Sequence, residues 1–265
     1  MTHATMSPAL SRAALVSEWT KLRSLRSTHL NVLGAVLLSL AVCAMVANST
    51  VTHWDTASAA AKATFDPVGE SFNGMNYAWL IFGSLGVLAM SSEHTTGMIR
   101  TTFAAVPRRR TVLNAKIVVV GGVTLVVGMS CAFASYFLGQ AVFARKHLDV
   151  GLGDHNVLRA VTGAGFSLVC VTLFGLGLGA IIRHTAGAIA VLFGLAYLLP
   201  GITHGLIRWS YTPSKWTLSR AGESLSTTLP QGAENPSPGM GVVVQLTYVV
   251  VTLAIASFLI TRRDA

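Results

Sequence analysis

Ile117-Val118-Val119-Val120-Gly121-Gly122-Val123-Thr124-Leu125-Val126-Val127-Gly128-Met129-Ser130-Cys131-Ala132-Phe133-Ala134-Ser135-Tyr136-Phe137-Leu138-Gly139-Gln140-Ala141-Val142-Phe143-Ala144 runs from Lys116 to Arg145 without one charged side chain. A helix needs ~20 apolar residues to cross the hydrocarbon core of a bilayer. This stretch exceeds that length. Five other intervals match it: Arg26 to Asp55, Glu70 to Glu93, Arg159 to Arg183, Arg183 to Arg208, and Glu234 to Arg262. No other charge-free interval is as long, so the sequence predicts an all-α membrane protein with six transmembrane helices. Composition agrees. Hydrophobic residues make up 52% and charged residues 11%, where a soluble domain carries roughly 25% charged. Buried helices of soluble proteins average ~14 residues at most and keep a polar stripe. Val32–Val46 and Val242–Ile260 are apolar all round, which excludes that class.

The net charge of +9 would raise the question of nucleic acid in a soluble protein. Here its distribution gives an orientation, and no nucleic-acid partner is expected. With the N-terminus inside and six alternating spans, the inner segments hold Arg12, Lys21, Arg23, Arg26, Arg100, Arg108, Arg109, Arg110, Lys116, Arg183, Arg262 and Arg263 against Glu18, Glu93 and Asp264. The outer segments balance to zero, so the whole excess lies on one face. Basic-residue bias sets topology, and both termini are expected in the cytoplasm. The first apolar run begins only near Leu30 and five more follow, which argues against a cleaved signal peptide.

The segment before the first span, residues 1–28, is read as an amphipathic interfacial helix. Trp19 sits at headgroup level, with Lys21, Arg23 and Arg26 turned toward anionic lipid. Residues 29–265 form the six-helix bundle of a single transmembrane domain. The spans are expected near Leu30–Thr50, Gly74–Ser91, Val112–Phe143, Ala160–Ile182, Ala186–Ile207 and Val242–Ile260. In the fourth, Gly175 and Gly179 form a small-xxx-small pair that lets backbones approach. In the fifth, Pro200-Gly201 is expected to kink or break the helix. Between spans five and six, Pro213–Ser226, with Trp216, is expected to dip back as short external re-entrant helices. Cys43, Cys131 and Cys170 fall inside spans without metal-ligand spacing, and are read as small core residues.

No catalytic constellation is present. The chain lacks H-E-x-x-H, G-x-S-x-G, a Cys/His cluster and a phosphate-binding G-x-x-x-x-G-K-[ST] loop. It is therefore not expected to be an enzyme, or to bind metal or ATP itself. No charged pair is evident within the spans, which counts against a proton-driven carrier. His184 and His204 sit at helix ends and are read as interfacial packing residues.

The most informative polar stretch is Ser91-Ser92-Glu93-His94-Thr95-Thr96-Gly97-Met98-Ile99-Arg100-Thr101-Thr102-Phe103-Ala104-Ala105-Val106-Pro107-Arg108-Arg109-Arg110. It reads as a short cytoplasmic helix. Glu93 is placed to accept from free amides at the helix start. Met98, Ile99, Phe103 and Val106 form an apolar face, and Pro107 ends it. An exposed apolar face between two spans invites a soluble partner.

The pattern Glu93-x-x-x-Gly97-Met98-Ile99-Arg100, followed by Pro107-Arg108-Arg109-Arg110 and Lys116, resembles the permeases of the type-2 ABC exporter family. Ser17-Glu18-Trp19-Thr20-Lys21-Leu22-Arg23-Ser24 is similar to the opening of bacterial, particularly actinobacterial, members. The resemblance implies a permease in the bacterial plasma membrane, paired with an identical or paralogous second permease and seated on two separate ATPase subunits that carry ATP and Mg. It implies that the helix after span 2 is the coupling helix, with Glu93, Gly97, Met98, Ile99, Arg100, Phe103, Pro107 and Arg108 meeting the ATPase. It further implies export of a hydrophobic or amphipathic substrate such as a drug, antibiotic, peptide or lipid. Pro213–Ser226 would be the outer gate. The alternative reading is a membrane anchor or sensor that docks a cytoplasmic partner without transport.

Overall fold

The structure, a computed structural model, describes residues 8–24, 26–98, 109–205, 214–229 and 236–262. Among these residues the fold is helical throughout. It runs α1 (Pro8–Ser24), α2 (Arg26–His53), α3 (Ala59–Ala63), α4 (Pro67–Ser71), α5 (Met75–Thr95), α6 (Arg109–Phe143), α7 (Val157–Ile182), α8 (Thr185–Phe193), α9 (Leu199–Gly205), α10 (Leu218–Ser226) and α11 (Pro238–Arg262). Five helices are long and apolar enough to cross a membrane: His29–Thr56, Arg109–Lys146, Val157–Ile182, Thr185–Thr203 and Pro238–Arg262. The chain thus has the helices of a multi-pass membrane protein. The remaining expected span coincides with α5. That helix is 21 residues long, but Asn76, Tyr77 and the run from Ser91 to His94 make its ends polar, and it is not among the five.

The outer surface explains why such helices need lipid. Leu30, Leu33, Leu37 and Met45 of α2, Val118, Val126 and Phe137 of α6, and Val250, Ile255 and Phe258 of α11 all stand exposed. In water a continuous apolar surface of this kind would aggregate; in hydrocarbon it costs nothing. The interior is built differently. In α7, 72% of the most apolar window is buried, against 33% or less in the other four. This helix is therefore the central post, and its all-round apolar character follows from burial on every side.

Small residues decide how close the neighbours come. A Cβ on Gly175 would strike the carbonyl of Gly83, and one on Gly179 would meet the carbonyl of Val87 at 2.6 Å. From the other side, a Cβ on Gly86 would collide with the carbonyl of Thr172. The α5–α7 contact is thus backbone against backbone, the arrangement small residues permit in membranes, where dispersion replaces the hydrophobic effect as the driving force. α2 turns an i, i+4 row inward: Ala35, Ser39, Cys43, Ala47 and Val51 are all buried. Cys43 donates from Sγ to the Ser135 carbonyl at 3.3 Å. All three cysteines are buried thiols.

Two helix junctions have clear local causes. At the α7–α8 turn Arg183 takes φ 58°, its N–H donating to Gly179, and exposed His184 caps α8 by accepting from the Gly187 N–H. Pro200 does not end its helix. The turn before it, Gly194–Leu198, is π-helical, and α9 continues through the proline. A π-turn reassigns the carbonyl that proline cannot bond, so the missing N–H is absorbed without a break. A Cβ on Gly201 would meet nothing within 4 Å.

Candidate functional site

One end of the bundle gathers charges from three separated parts of the chain. Glu18 lies on α1, on the same side as buried Ala14, and is itself 4% exposed. Lys21, one turn on, is half-buried. Glu93 is in the last turn of α5 and 5% exposed, and Lys116 is on the second turn of α6 and 3% exposed. Lys21 Nζ donates to Glu18 Oε1 at 2.7 Å and Glu93 Oε1 at 2.8 Å. Lys116 Nζ donates to Glu18 Oε2 at 2.6 Å and Glu93 Oε1 at 2.9 Å. The four charges sum to zero, and each cation bridges both carboxylates.

Burial works against the charged form of Lys21, but its hydrogen bonds and charge contacts with Glu18 and Glu93 prevail and hold its pKa above the ordinary lysine value. A buried pair of this kind is roughly neutral against an apolar replacement, whereas removing one partner leaves an uncompensated charge. The quartet is therefore a clamp: it adds little net stability but strongly penalises separating α1, α5 and α6. Around it, Ser91 Oγ lies 2.8 Å from Thr185 Oγ1 of α8, and Arg109 Nη1 donates to the Ile260 carbonyl of α11 at 3.2 Å.

This arrangement corrects two expectations. Glu93 does not serve as a cap for a following helix; it ends the preceding one, and its Oε1 accepts from two lysines. Lys21 does not point to lipid headgroups, because its ammonium is turned inward. The buried side of α1 carries the carboxylate of Glu18 beside apolar Ala14. Exposed Trp19 and Arg23 do remain on the outside of α1. Arg26 opens α2, and its side chain lies outside the described residues.

Gly97 has φ +70°, and a Cβ there would meet nothing within 4 Å. The glycine is needed for its left-handed conformation, directly after the α5 cap at Thr96, and not for space. Met98 is 47% exposed. Ile99, Arg100, Phe103, Pro107 and Arg108 lie outside the described residues.

Above Glu93 a partly enclosed cavity of about 320 Å³ runs between α1, α2, α5 and α6. Its walls include Phe82, Leu85, Ala89, Val120 and Val123, and all four clamp residues border it. Among the described residues, Glu93 Oε2 is buried without a hydrogen-bond partner.

The opposite end is held by amides, hydroxyls and a carboxylate cap. Ser167 Oγ accepts from Trp79 Nε1 at 3.0 Å and from Gln245 Nε2 at 2.7 Å. Gln140 Nε2 donates to Ser71 Oγ at 3.1 Å, and its Oε1 accepts from the Val150 N–H at 2.9 Å. Asp66 caps α4 and accepts from the N–H and hydroxyl of Thr228 at 2.8 and 2.7 Å, fastening the strand of chain after α10. Trp216 is half exposed, its carbonyl accepting from Tyr248. No group of three His, Cys, Asp or Glu side chains among the described residues is placed to hold a metal.

The residue pattern singles out Glu93, Lys21 and Lys116, but neither their convergence nor Glu18 as the fourth member. The i, i+3 Glu-Lys pair on the first helix is the signal that could have found it. Neither a protein-family model nor a curated protein sequence matches the chain.

Proposed function

We propose that this chain is the membrane subunit of an ATP-driven exporter of the type-2 ABC kind, in which α5 is the sixth span and residues 96–108 are the grip for a cytoplasmic ATPase. The observation that supports it most directly is the Glu18–Lys21–Glu93–Lys116 clamp, at the root of that loop. A push delivered to residues 96–108 reaches α5 through Glu93 and α6 through Lys116, and α1 is drawn along by the Lys21–Glu93 and Glu18–Lys116 bonds. Such a linkage between loop and helices is what a subunit driven from outside requires and a passive anchor does not. The left-handed Gly97 turns the chain out of α5 toward the partner.

In this reading the clamp end is cytoplasmic, in accord with the basic excess on that face. α1 lies at the inner interface and α10 with Trp216 forms an external re-entrant element. Two ATPase subunits carry ATP and Mg, and a second permease, identical or paralogous, completes the pathway for an apolar or amphipathic substrate in the bacterial plasma membrane.

The test is purification from native membranes with its associated proteins, followed by reconstitution. An ATPase should co-purify, and its hydrolysis should drive efflux of a substrate from or into vesicles. Lys116→Gln should uncouple the two, leaving hydrolysis while transport falls. A complex that hydrolyses ATP but moves nothing in the wild type would favour the anchor or sensor reading; absence of any ATPase would overturn both the partner and the mechanism.

A further inference from the structure

At the end of the bundle away from the clamp, a second, half-open cavity of about 290 Å³ lies between α4, the start of α5, α7 and α10. Its volume falls at the lower edge of small-ligand pockets, which join a few placed polar groups to aromatic and apolar walls. Both kinds of wall are present. Phe72, Met75, Trp79 and Ala164 supply the apolar part, and Glu70, Asn73, Asn76 and Ser219 belong to the polar part.

Three carboxylates border this cavity, and two of them are engaged by the protein itself. Asp66 accepts from the Val68 N–H and from the N–H and hydroxyl of Thr228. Glu223 pairs with Arg220 at 3.1 Å. Glu70 differs. Its Oε2 accepts from Asn73 Nδ2 at 2.6 Å. Its Oε1 has no donor among the described residues and is not enclosed by protein, so an occupant can reach it. No lysine or arginine among the described residues borders the cavity, and Arg159 of α7 donates to the Leu225 and Thr227 carbonyls instead. Burial, and then the charge of Asp66, hold the Glu70 carboxyl above its ordinary value against the hydrogen bond from Asn73. That is the condition of a carboxylate without a compensating cation. Asn73 Oδ1, the Asn76 amide and Ser219 Oγ are likewise open. Such groups suit hydroxyls, which donate to carbonyl oxygens and accept from amides.

We propose that this cavity binds a small hydroxylated primary amine, an amino alcohol or amino sugar, with its ammonium on Glu70 Oε1 and its hydroxyls on Asn73, Asn76 and Ser219. The ammonium supplies the charge that Glu70 lacks, and its carbon skeleton lies against Trp79 and Met75. A bare metal ion is a poorer match, because no three His, Cys, Asp or Glu side chains among the described residues are placed to hold one. The site lies within a single copy of the chain and does not depend on the exporter reading.

The experiment uses the full-length protein in phosphatidylcholine nanodiscs at neutral pH, with binding measured by calorimetric titration and thermal unfolding as a second readout. The probes are glucamine, sorbitol, gluconate and butylamine. Sorbitol replaces the ammonium of glucamine with a hydroxyl, gluconate replaces it with a carboxylate, and butylamine keeps the ammonium without hydroxyls. Glucamine should bind saturably, one per chain, and raise the melting temperature. Sorbitol and gluconate should bind at least about tenfold more weakly, and butylamine should also be weaker. Glu70→Gln, which keeps an oxygen for Asn73, should weaken glucamine by at least about tenfold. Ser219→Phe, which fills the cavity from α10 and changes no charge, should weaken it with the carboxylate still in place. Adding phosphatidylethanolamine to the discs should leave glucamine binding unchanged; competition would name a lipid headgroup as the occupant and overturn the proposal. Sorbitol or butylamine binding as tightly as glucamine, or glucamine binding indifferent to either variant, would overturn it as well.

Discussion

The two ends of the bundle solve the same problem with different chemistry. At one, α1, α5 and α6 are joined by four ions at 2.6 to 2.9 Å. At the other, α5, α7 and α11 meet through Trp79, Ser167 and Gln245, while α4 and α6 meet through Ser71 and Gln140. Hydrogen bonds between helices in membranes contribute about 0.6 kcal/mol on average, because an unfolded span still finds partners. Buried ions have no such fallback. The hydrogen-bonded end can therefore loosen by small steps, whereas the ionic end is either fully paired or badly destabilised. An all-or-none junction suits the root of a loop that receives a mechanical signal.

Removing one ion gives the largest effect. Lys116→Met leaves Glu18 Oε2 without its cation and Glu93 with only Lys21, and should lower stability by about 3–5 kcal/mol. The companion Lys116→Met/Glu93→Gln restores neutrality, with Glu18 and Lys21 remaining as a pair. It should recover a substantial part of the loss in thermal unfolding in detergent. Equal destabilisation by the single and double variants would show that the ends do not differ in kind.

Gly97→Ala probes the same end at smaller scale. With φ +70°, an L-residue there is strained by roughly 1–2 kcal/mol, and no neighbour blocks the new methyl. The cost should appear as a frayed α5 terminus, seen as faster amide exchange over Ser92–Thr96, with the rest of the bundle unchanged. The corresponding change at the other end, Gln245→Leu, should cost less, within about 1 kcal/mol. Among the described residues Gln245 Oε1 already lacks a partner, and Ser167 keeps its bond from Trp79. A loss of several kcal/mol on melting the Leu variant would place the two ends on equal footing.

The difference also explains which features are legible in the sequence. Charge-free intervals mark the long helices because bilayer thickness imposes length and composition on each one separately. α5 is harder. Its packing against α7 needs Gly83 and Gly86 as much as Gly175 and Gly179, and its ends are polar because they enter both networks. The ionic cluster is hidden for a related reason. Glu18 and Lys116 are 98 positions apart, and pairing across that distance is set by how α1 docks, which no local period records. Glu93 resembles a cap because a carboxylate near a helix boundary usually is one. Pro200 resembles a break because a π-turn leaves no mark in the residue types around it.

The gentlest probe titrates the hydrogen-bonded end. Glu70, on α4, is pushed above its ordinary value, first by burial and then by the charge of Asp66, with the hydrogen bond from Asn73 working the other way. A carboxyl raised in this way binds its proton more tightly folded than unfolded. Its contribution is therefore most favourable below the unfolded value of 4.5 and declines as pH rises through the folded one. At neutral pH the ionised form is a burden, and Glu70→Gln should raise the melting temperature slightly, since the amide oxygen still accepts from Asn73. The gain should vanish near pH 4, where wild type and variant are both uncharged at this position. Lys21 at the ionic end follows the same sign in a far more alkaline range. Its raised value means its contribution is complete below the unfolded 10.5 and is lost only as pH climbs through the folded value. Between pH 5 and 9 the part of any change in stability that comes from Glu70 should disappear in Glu70→Gln, while His94, whose pKa is held below the ordinary value by burial first and then by Arg183, acts with the opposite sign in both proteins; if the slope is the same with and without the substitution, the softer end of the molecule is not where the protons act.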